Sequence, residues 1–519
     1  MCISGPRTII QTVVSGLENQ TTVSDVKANL TIALRARDAF VPNVCLNCAV
    51  YGRSDVSDDD KPQAGRLPTG RIARTARVGG LVTGQGLRWA GMRTANRVRS
   101  PERAAAARDE RTANLVGELV DQLGQMRGAA MKVGQLLSMA EFDGLPEEQR
   151  GELESKLATL RDDVPPVPFA KLEKLMRKEL GGPLSSVFSA FDERALAAAS
   201  IGQVHRATTL DGEDVVVKVQ YPGVAEAVDS DLRSATLLLP LLKRLAPALD
   251  AKPLLAELRE RIGEELDYEL EAQQQRRVER LYRGHPFISV PRVRTDLSTR
   301  RVLVSEYVEG ERFDAVRELD QAQRDRYGEI VFRFFFGLLY RHRIALGDPH
   351  PGNYLLRPDG RVAFLDYGLV RDFGTARIDA ERAIALAVRE DDAAALEAAL
   401  DAGGYIREQK GFDAELALQM TRGAVRWYSV PGERQLSNER RERRRRELGD
   451  VDEERQAAFR AQAVRFTLPP ETILIRRMHM LVAIVLSRLR VTADWGAIAA
   501  EYLHGEPPAT ELGETEANA

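Results

Sequence analysis

The chain has 519 residues, 44% of them apolar and 29% charged, with a formal net charge of −3. That is enough for more than one folded unit with a sizeable core, and the charge balance excludes a globally basic nucleic-acid binder. The three cysteines, Cys2, Cys45 and Cys48, all lie near the N-terminus, so no disulfide framework supports the main body and no zinc site is expected from the lone Cys45-Leu-Asn-Cys48 pair.

Residues 1–65 show no sustained periodicity and end in the acidic stretch Ser54–Asp60, which reads as a poorly ordered extension. No signal peptide is expected, because Thr8–Val14 is interrupted by polar residues and no small-residue cleavage pattern follows. Residues 66–110 form a basic amphipathic segment: from Arg66 to Ser100 there are eight arginines and no acid, interleaved with Leu81, Val82, Leu87 and Trp89. Two readings stand side by side, a segment lying on anionic lipid and a basic helix packed on the protein's own acidic surface. Over 111–165, Leu115, Leu119, Met126, Ala130, Val133 and Leu137 recur at helical spacing, with Lys132 and Gln135 on a different side of that helix. A second helix over Pro146–Leu160 is ended by Val164-Pro165-Pro166-Val167-Pro168, which marks a boundary near 165.

From 166 to 310 the pattern changes to short strands around one long helix. Ala198–Thr208, the Asp211-Gly212 turn and Val215–Val219 read as a hairpin whose second strand leads through β-branched residues into Lys218. Leu254, Leu258, Ile262, Leu266 and Leu270 mark one stripe of a single helix bearing Glu265, Asp267 and Glu271. Val302-Leu303-Val304 reads as a further strand running into Glu306-Tyr307-Val308. Residues 311–505 are mostly helical, and the apolar run Met480–Leu486, with Arg477 and Arg488 nearby, falls far short of the ~20 residues that span a bilayer. Arg440–Arg446 contains six arginines and reads as an exposed face or loop. The acidic, Pro-containing residues 506–519 read as a disordered tail.

The helical part holds Gly347-Asp348-Pro349-His350-Pro351-Gly352-Asn353, and Asp366-Tyr367-Gly368 begins thirteen residues after Asn353. Asp348 and Asn353 are spaced like the base and the magnesium-binding Asn of a kinase catalytic loop, and Asp366 follows the apolar run Val362–Leu365 as a magnesium-binding Asp does. Asp359-Gly360 reads as the hairpin turn between them. A lysine at the end of a β-branched strand, followed by a carboxylate-bearing helix, completes the pattern: Lys218 would hold the α- and β-phosphates of ATP, and Glu271 would fix its rotamer by an ion pair. Glu306 to Val308 would be the hinge whose backbone pairs with adenine. The phosphate-covering loop is Ala197-Ala198-Ala199-Ser200-Ile201-Gly202-Gln203, and alanine resists the positive-φ conformations with which glycine loops wrap phosphates. An unusual nucleotide geometry is expected.

These motifs resemble those of the UbiB family of atypical kinases, which includes AarF. They are Lys132-Val133-Gly134-Gln135, the alanine-rich loop, Lys218-Val219-Gln220-Tyr221-Pro222-Gly223, Glu265-Leu266-Asp267-Tyr268, Asp348–Asn353 and Asp366-Tyr367-Gly368, in the family's order. The resemblance implies an α+β, protein-kinase-like two-lobed fold: a small β-rich N-lobe over 166–310, a helical C-lobe over 311–505, and a helical N-terminal extension over the active site. It also implies that Lys132 and Gln135 enter the cleft where a protein substrate would otherwise lie, and that Glu265 and Asp267 contact that lysine, leaving Glu271 for Lys218.

The expected activity is that of an ATP-binding atypical kinase or ATPase supporting isoprenoid-quinone or membrane-lipid metabolism. Asp348, Lys218, Lys132 and Gln135 are its catalytic candidates. The alanine-rich loop with Ser200, Gly202 and Gln203, together with Lys218, Glu265, Asp267, Glu271, Glu306 and Val308, would surround ATP or ADP, with Mg2+ on Asn353 and Asp366. Two alternatives stand beside this reading: a nucleotide-sensing scaffold without turnover, and a small-molecule phosphotransferase whose catalytic loop the Gly-Asp-x-His-Pro-Gly-Asn segment also resembles. The partners expected are a nucleotide and either an anionic lipid surface or an isoprenoid lipid, with no nucleic acid. A cytoplasmic protein, peripheral on the inner face of a membrane and without a transmembrane helix, fits these expectations. Tyr367 stands where kinases carry Phe, and Leu346 where many carry His.

Overall fold

A computed structural model describes residues 167–199, 201–230, 233, 263–437 and 453–519, all within the unit Gly70–Ala519. The expectations for residues 1–166, Lys132 and Gln135 among them, lie outside the described residues, as do those for Ser200, Leu254 to Ile262 and Arg440–Arg446.

Helix α1 (Phe169–Glu179) leads into strands β1 (Phe188–Phe191), β2 (Ala197–Ala198), β3 (Gly202–Thr209) and β4 (Asp214–Gln220), then α2 (Tyr268–Leu281), β5 (Ile288–Ser289) and β6 (Val302–Glu306). Strands β1, β3, β4 and β6 lie side by side in that order, antiparallel throughout, with β2 added beside β3. Successive strand side chains point to opposite faces. Val215, Val217 and Val219 therefore share one face and are buried with Leu172, Leu175 and Met176 of α1, whereas Lys218 turns to the other face and reaches α2. Ile201, Tyr268, Ala272 and Leu303 form the apolar cluster that seats α2 there.

Two expectations for this lobe are corrected. The stripe predicted to run as one helix to Leu270 is interrupted: Gly263–Glu265 are helical, Leu266 turns, and Asp267 starts α2 by accepting the amides of Glu269 and Leu270 at 3.1 and 3.2 Å. A carboxylate that caps two first-turn amides ends the preceding helix, whatever the apolar spacing says. The strand predicted from Ala198 to Thr208 is also two strands, β2 and β3, closed by reciprocal Ala199–Gly202 backbone bonds of 2.8 and 3.4 Å. Close approach explains the break, because a Cβ at Gly202 would lie 2.2 Å from the Val219 carbonyl oxygen.

The second lobe contains β7 (Glu311–Arg312), α3 (Phe313–Arg317), α4 (Gln321–Tyr340), β8 (Ile344–Leu346), β9 (Tyr354–Leu356), β10 (Val362–Phe364) and β11 (Val370–Asp372). Its helices continue as α5 (Thr375–Glu390), α6 (Ala393–Ala402), α7 (Ala414–Ser429), α8 (Glu453–Ala463), α9 (Ile473–Leu489), α10 (Trp495–Leu503) and α11 (Glu511–Ala517). Helix α4 is apolar nearly all round, with Ile330, Phe332, Phe334, Phe336, Leu338 and Leu339 fully buried, which is the pattern of a helix at the centre of a lobe. Strand order β5-β10-β9-β7 gives one small sheet and β8-β11 another. Because β5 pairs in parallel with β10, residues 288–289 join the larger lobe's sheet before β6 returns the chain to the first sheet. Among the described residues no helix is long and apolar enough to cross a membrane.

The disordered tail is a third correction. Glu511–Ala517 is helical, Leu512 is buried, and Glu516 binds Arg341 at 2.8 Å and Tyr502 at 2.6 Å. Arg333, with no solvent exposure, explains this order: its guanidinium donates to Glu329, Glu501, Glu516, Tyr502 and Thr510. A buried guanidinium requires carboxylate partners, and the acidic tail supplies one of them.

Candidate functional site

Lys218 Nζ donates to both carboxylate oxygens of Glu271, at 2.8 and 2.9 Å, and lies 4.8 Å from the centroid of the Tyr268 ring. The Lys218 side chain keeps 23% exposure and that of Glu271 only 4%, so the pair sits at the floor of an opening. Burial alone would depress the lysine pKa, but the Glu271 carboxylate, Tyr268 and Asp366 outweigh it and hold the ammonium above its ordinary range. Burial lifts the Glu271 carboxyl, and Asp366 adds to the lift against the pull of Lys218.

The opposite wall comes from the second lobe. The catalytic-type loop is braced internally: the His350 amide donates to the Asp348 carbonyl at 2.7 Å, and the Gly352 amide to His350 Nδ1 at 3.1 Å. Asn353 Nδ2 lies 3.4 Å from the Asp348 carbonyl and 3.3 Å from Asp366 Oδ2. Gly368 donates its amide to Asp366 Oδ1 at 2.9 Å. A Cβ at Gly368 would lie 3.4 Å from that same oxygen and 3.9 Å from Glu271 Oε2, so the triplet after β10 comes up against the carboxylate of α2. Lys218, Glu271, Asn353 and Asp366 are thereby brought together from four separate stretches of sequence. Tyr367 is buried, and its hydroxyl donates to the Phe364 carbonyl at 2.9 Å, which satisfies the group that distinguishes it from phenylalanine.

The remaining predicted positions are less central. Asp267 is engaged as the α2 cap and lies 3.6 Å from Arg300. Glu265, two residues before it, is near enough to add to the lift on Glu271 and Tyr268. At the hinge, Glu306 pairs with Val215 and accepts from Arg292, and the Tyr307 amide donates to the Asp214 carbonyl at 3.0 Å. The Val308 backbone carries no hydrogen bond to any described residue. In the alanine-rich loop, none of the described residues has positive φ; Ala197 and Ala198 are ladder residues opposite Val204 and Gln203. The Gln203 side chain accepts from the Val167 amide at 2.8 Å, tying the loop to the start of α1.

Two residues were missed from sequence. Tyr268 underlies the lysine, and its place directly after Asp267 was a usable signal. Arg477, a buried residue of α9, places Nη2 3.8 Å from Asp348 Oδ1. One turn away on the same face, Leu474 packs where a Cβ at Gly347 would approach to 2.4 Å. Nothing in the local sequence of α9 points to a loop so far upstream.

A β-rich lobe presenting a lysine–glutamate pair to an Asp/Asn/Asp set on a helical lobe is the arrangement of the protein-kinase-like fold. Residues 159–400 match the family model described as the ABC1 atypical kinase-like domain. Atypical kinase COQ8, mitochondrial, of Saccharomyces cerevisiae is 32% identical over 319 residues, 60% of this chain and 62% of that protein. AarF domain-containing protein kinase 1 of Xenopus tropicalis is 33% identical over 258 residues, 48% of each chain. Among solved structures, the complex of Rv3197 with erythromycin from Mycobacterium tuberculosis is similar with a TM-score of 0.56 and 30% identity, covering 78% of this chain and 98% of that one. The chain belongs to the ABC1 atypical kinase-like family, that of UbiB, AarF and COQ8. It spans 50% to 62% of the length of the COQ8-named relatives it matches.

Proposed function

We propose that this chain binds ATP as a magnesium complex between its two lobes and turns it over as an atypical kinase or ATPase. The observation that carries this reading is the approach of Gly368 to both Asp366 and Glu271, which brings the phosphate-binding type of lysine and the metal-binding type of carboxylate to one opening. Lys218 would hold the α- and β-phosphates with its rotamer fixed by Glu271, and the Val308 backbone would meet adenine. Asp366 offers a carboxylate, and Asn353, whose amide nitrogen donates to it at 3.3 Å, would turn its amide oxygen to the ion by a flip of the amide, a pair that suits Mg2+, which keeps water and phosphate as its other ligands. The ion would neutralise charge on the transferred phosphoryl group. Asp348 would position a water or a hydroxyl, and Arg477 is the positioning residue behind it.

By resemblance, Lys132 and Gln135 gate the cleft, with Glu265 and Asp267 as their counterparts. The same resemblance supports a role in isoprenoid-quinone or membrane-lipid metabolism, with the basic segment 66–110 resting on anionic lipid. Phosphate release from ATP, measured with and without anionic liposomes, tests the proposal. The wild type should hydrolyse ATP, faster with liposomes, and Asp366→Asn should lose at least 100-fold. Equal rates for the two proteins would overturn the site, and indifference to liposomes would overturn the lipid contact.

A further inference from the structure

Away from the nucleotide cleft, helices α5, α6, α7 and α9 line an open cavity of about 330 Å³. That lies at the lower end of the roughly 300–1,000 Å³ of small-molecule sites. Its walls are mainly apolar, from Ile384, Leu400, Val425 and Phe466, and its mouth carries Leu468, which is 48% exposed. Two loops are laced together to form one side: Arg407 donates its amide to the Arg465 carbonyl at 2.7 Å, and Thr467 donates to that of Tyr405 at 2.8 Å.

The charge on these walls is one-sided. Arg407 and Arg476 both line the cavity, and among the described residues none that lines it is acidic. Arg476 is held from behind, its Nη2 donating to the Tyr405 hydroxyl at 2.9 Å and to Glu381, which also accepts from that hydroxyl. Arg407 is exposed, and its guanidinium has no carboxylate or hydrogen-bond partner among the described residues. Glu381 therefore balances Arg476 alone, and Arg407 leaves the cavity a surplus positive charge above an apolar floor. Such a site favours a ligand that brings one negative charge on an apolar body.

We propose that this cavity binds a small amphiphilic anion, a carboxylate or sulfonate on an apolar body of medium-chain size, with the head at Arg407 and Arg476 and the body against Val425 and Phe466. The proposal stands independently of the nucleotide reading, because its site and its assay share nothing with ATP. The full chain is titrated with 1-anilinonaphthalene-8-sulfonate and read by fluorescence, with octanoate and octanol as competitors. One saturable site per chain is expected, displaced by octanoate at concentrations at least tenfold below those needed with octanol.

Two surface changes locate the site without disturbing the core. Ala424→Trp, at an exposed lining position, should weaken binding at least tenfold by filling the cavity, and Arg407→Glu should weaken it at least fivefold. Both variants should keep the wild-type melting temperature. Unchanged probe affinity in both, or the absence of a saturable site in the wild type, would overturn the proposal. Equal displacement by octanol and octanoate would overturn the anionic head.

Discussion

Replacing Lys218 by methionine keeps most of the side-chain volume and removes the charge, leaving Glu271 almost fully buried without its cation. At 2.8 Å, and with an effective dielectric of roughly 20, the gross attraction lost is about 6 kcal/mol. Removing the ammonium also removes its own desolvation cost, so the net penalty is that of a stranded buried carboxylate, about 3–5 kcal/mol. Asp366, which already lifts Glu271, adds repulsion and keeps the value inside that range. Glu271→Gln in the same background removes the stranded charge and should recover about 2 kcal/mol, so the two substitutions are strongly non-additive. The assay is a double-mutant cycle on urea unfolding without nucleotide, comparing wild type, the two single variants and the double variant. A coupling energy below about 0.5 kcal/mol would refute the reasoning, since residues that do not interact add to within that margin.

Three further outcomes are expected. Ala199→Gly should raise ATP affinity severalfold by admitting positive φ beside the phosphates, as read by titration with a non-hydrolysable analogue; equal affinity would count against the account of the alanines. Glu516→Ala should cost about 2–3 kcal/mol, less than a fully stranded pair because Arg333 keeps Glu329 and Glu501, and should open 506–519 to proteases that spare the wild-type tail. Burial lowers the pKa of His205, His342, His479 and His504, so their neutral forms favour the folded state. This contribution is fully present above the unfolded value near 6.5 and lost progressively as pH falls from there through the depressed folded values, giving a lower melting temperature at pH 5.5 than at 7.5. His479→Phe, which preserves the stack on Phe336, should flatten that dependence.

The parts of the fold that were legible in sequence were those written in short-range patterns. The β-branched run Val215–Val217 leading into Lys218 marked a strand, and the spacing from Asp348 to Asn353 and Asp366 marked a loop, a hairpin and a triplet. The comparisons agree with the α+β kinase-like fold and the family that those motifs suggested. What stayed hidden depends on tertiary partners. Asp267 reads as one more carboxylate on an apolar stripe until its capping bonds appear, and the tail reads as disordered until the buried charge of Arg333 is known to need it. Arg477 could not be tied to Asp348, because the packing of α9 under Gly347 is set by neither sequence neighbourhood.

The most direct test of the central claim is the anomalous scattering of Mn2+ in crystals grown with a non-hydrolysable ATP analogue. A peak about 2.0–2.3 Å from side-chain oxygens of Asp366 and Asn353, with the Lys218 ammonium on the α- and β-phosphates, is the predicted result. A metal–nucleotide complex bound elsewhere on the chain, with Lys218 and Asp366 touching neither, would contradict it.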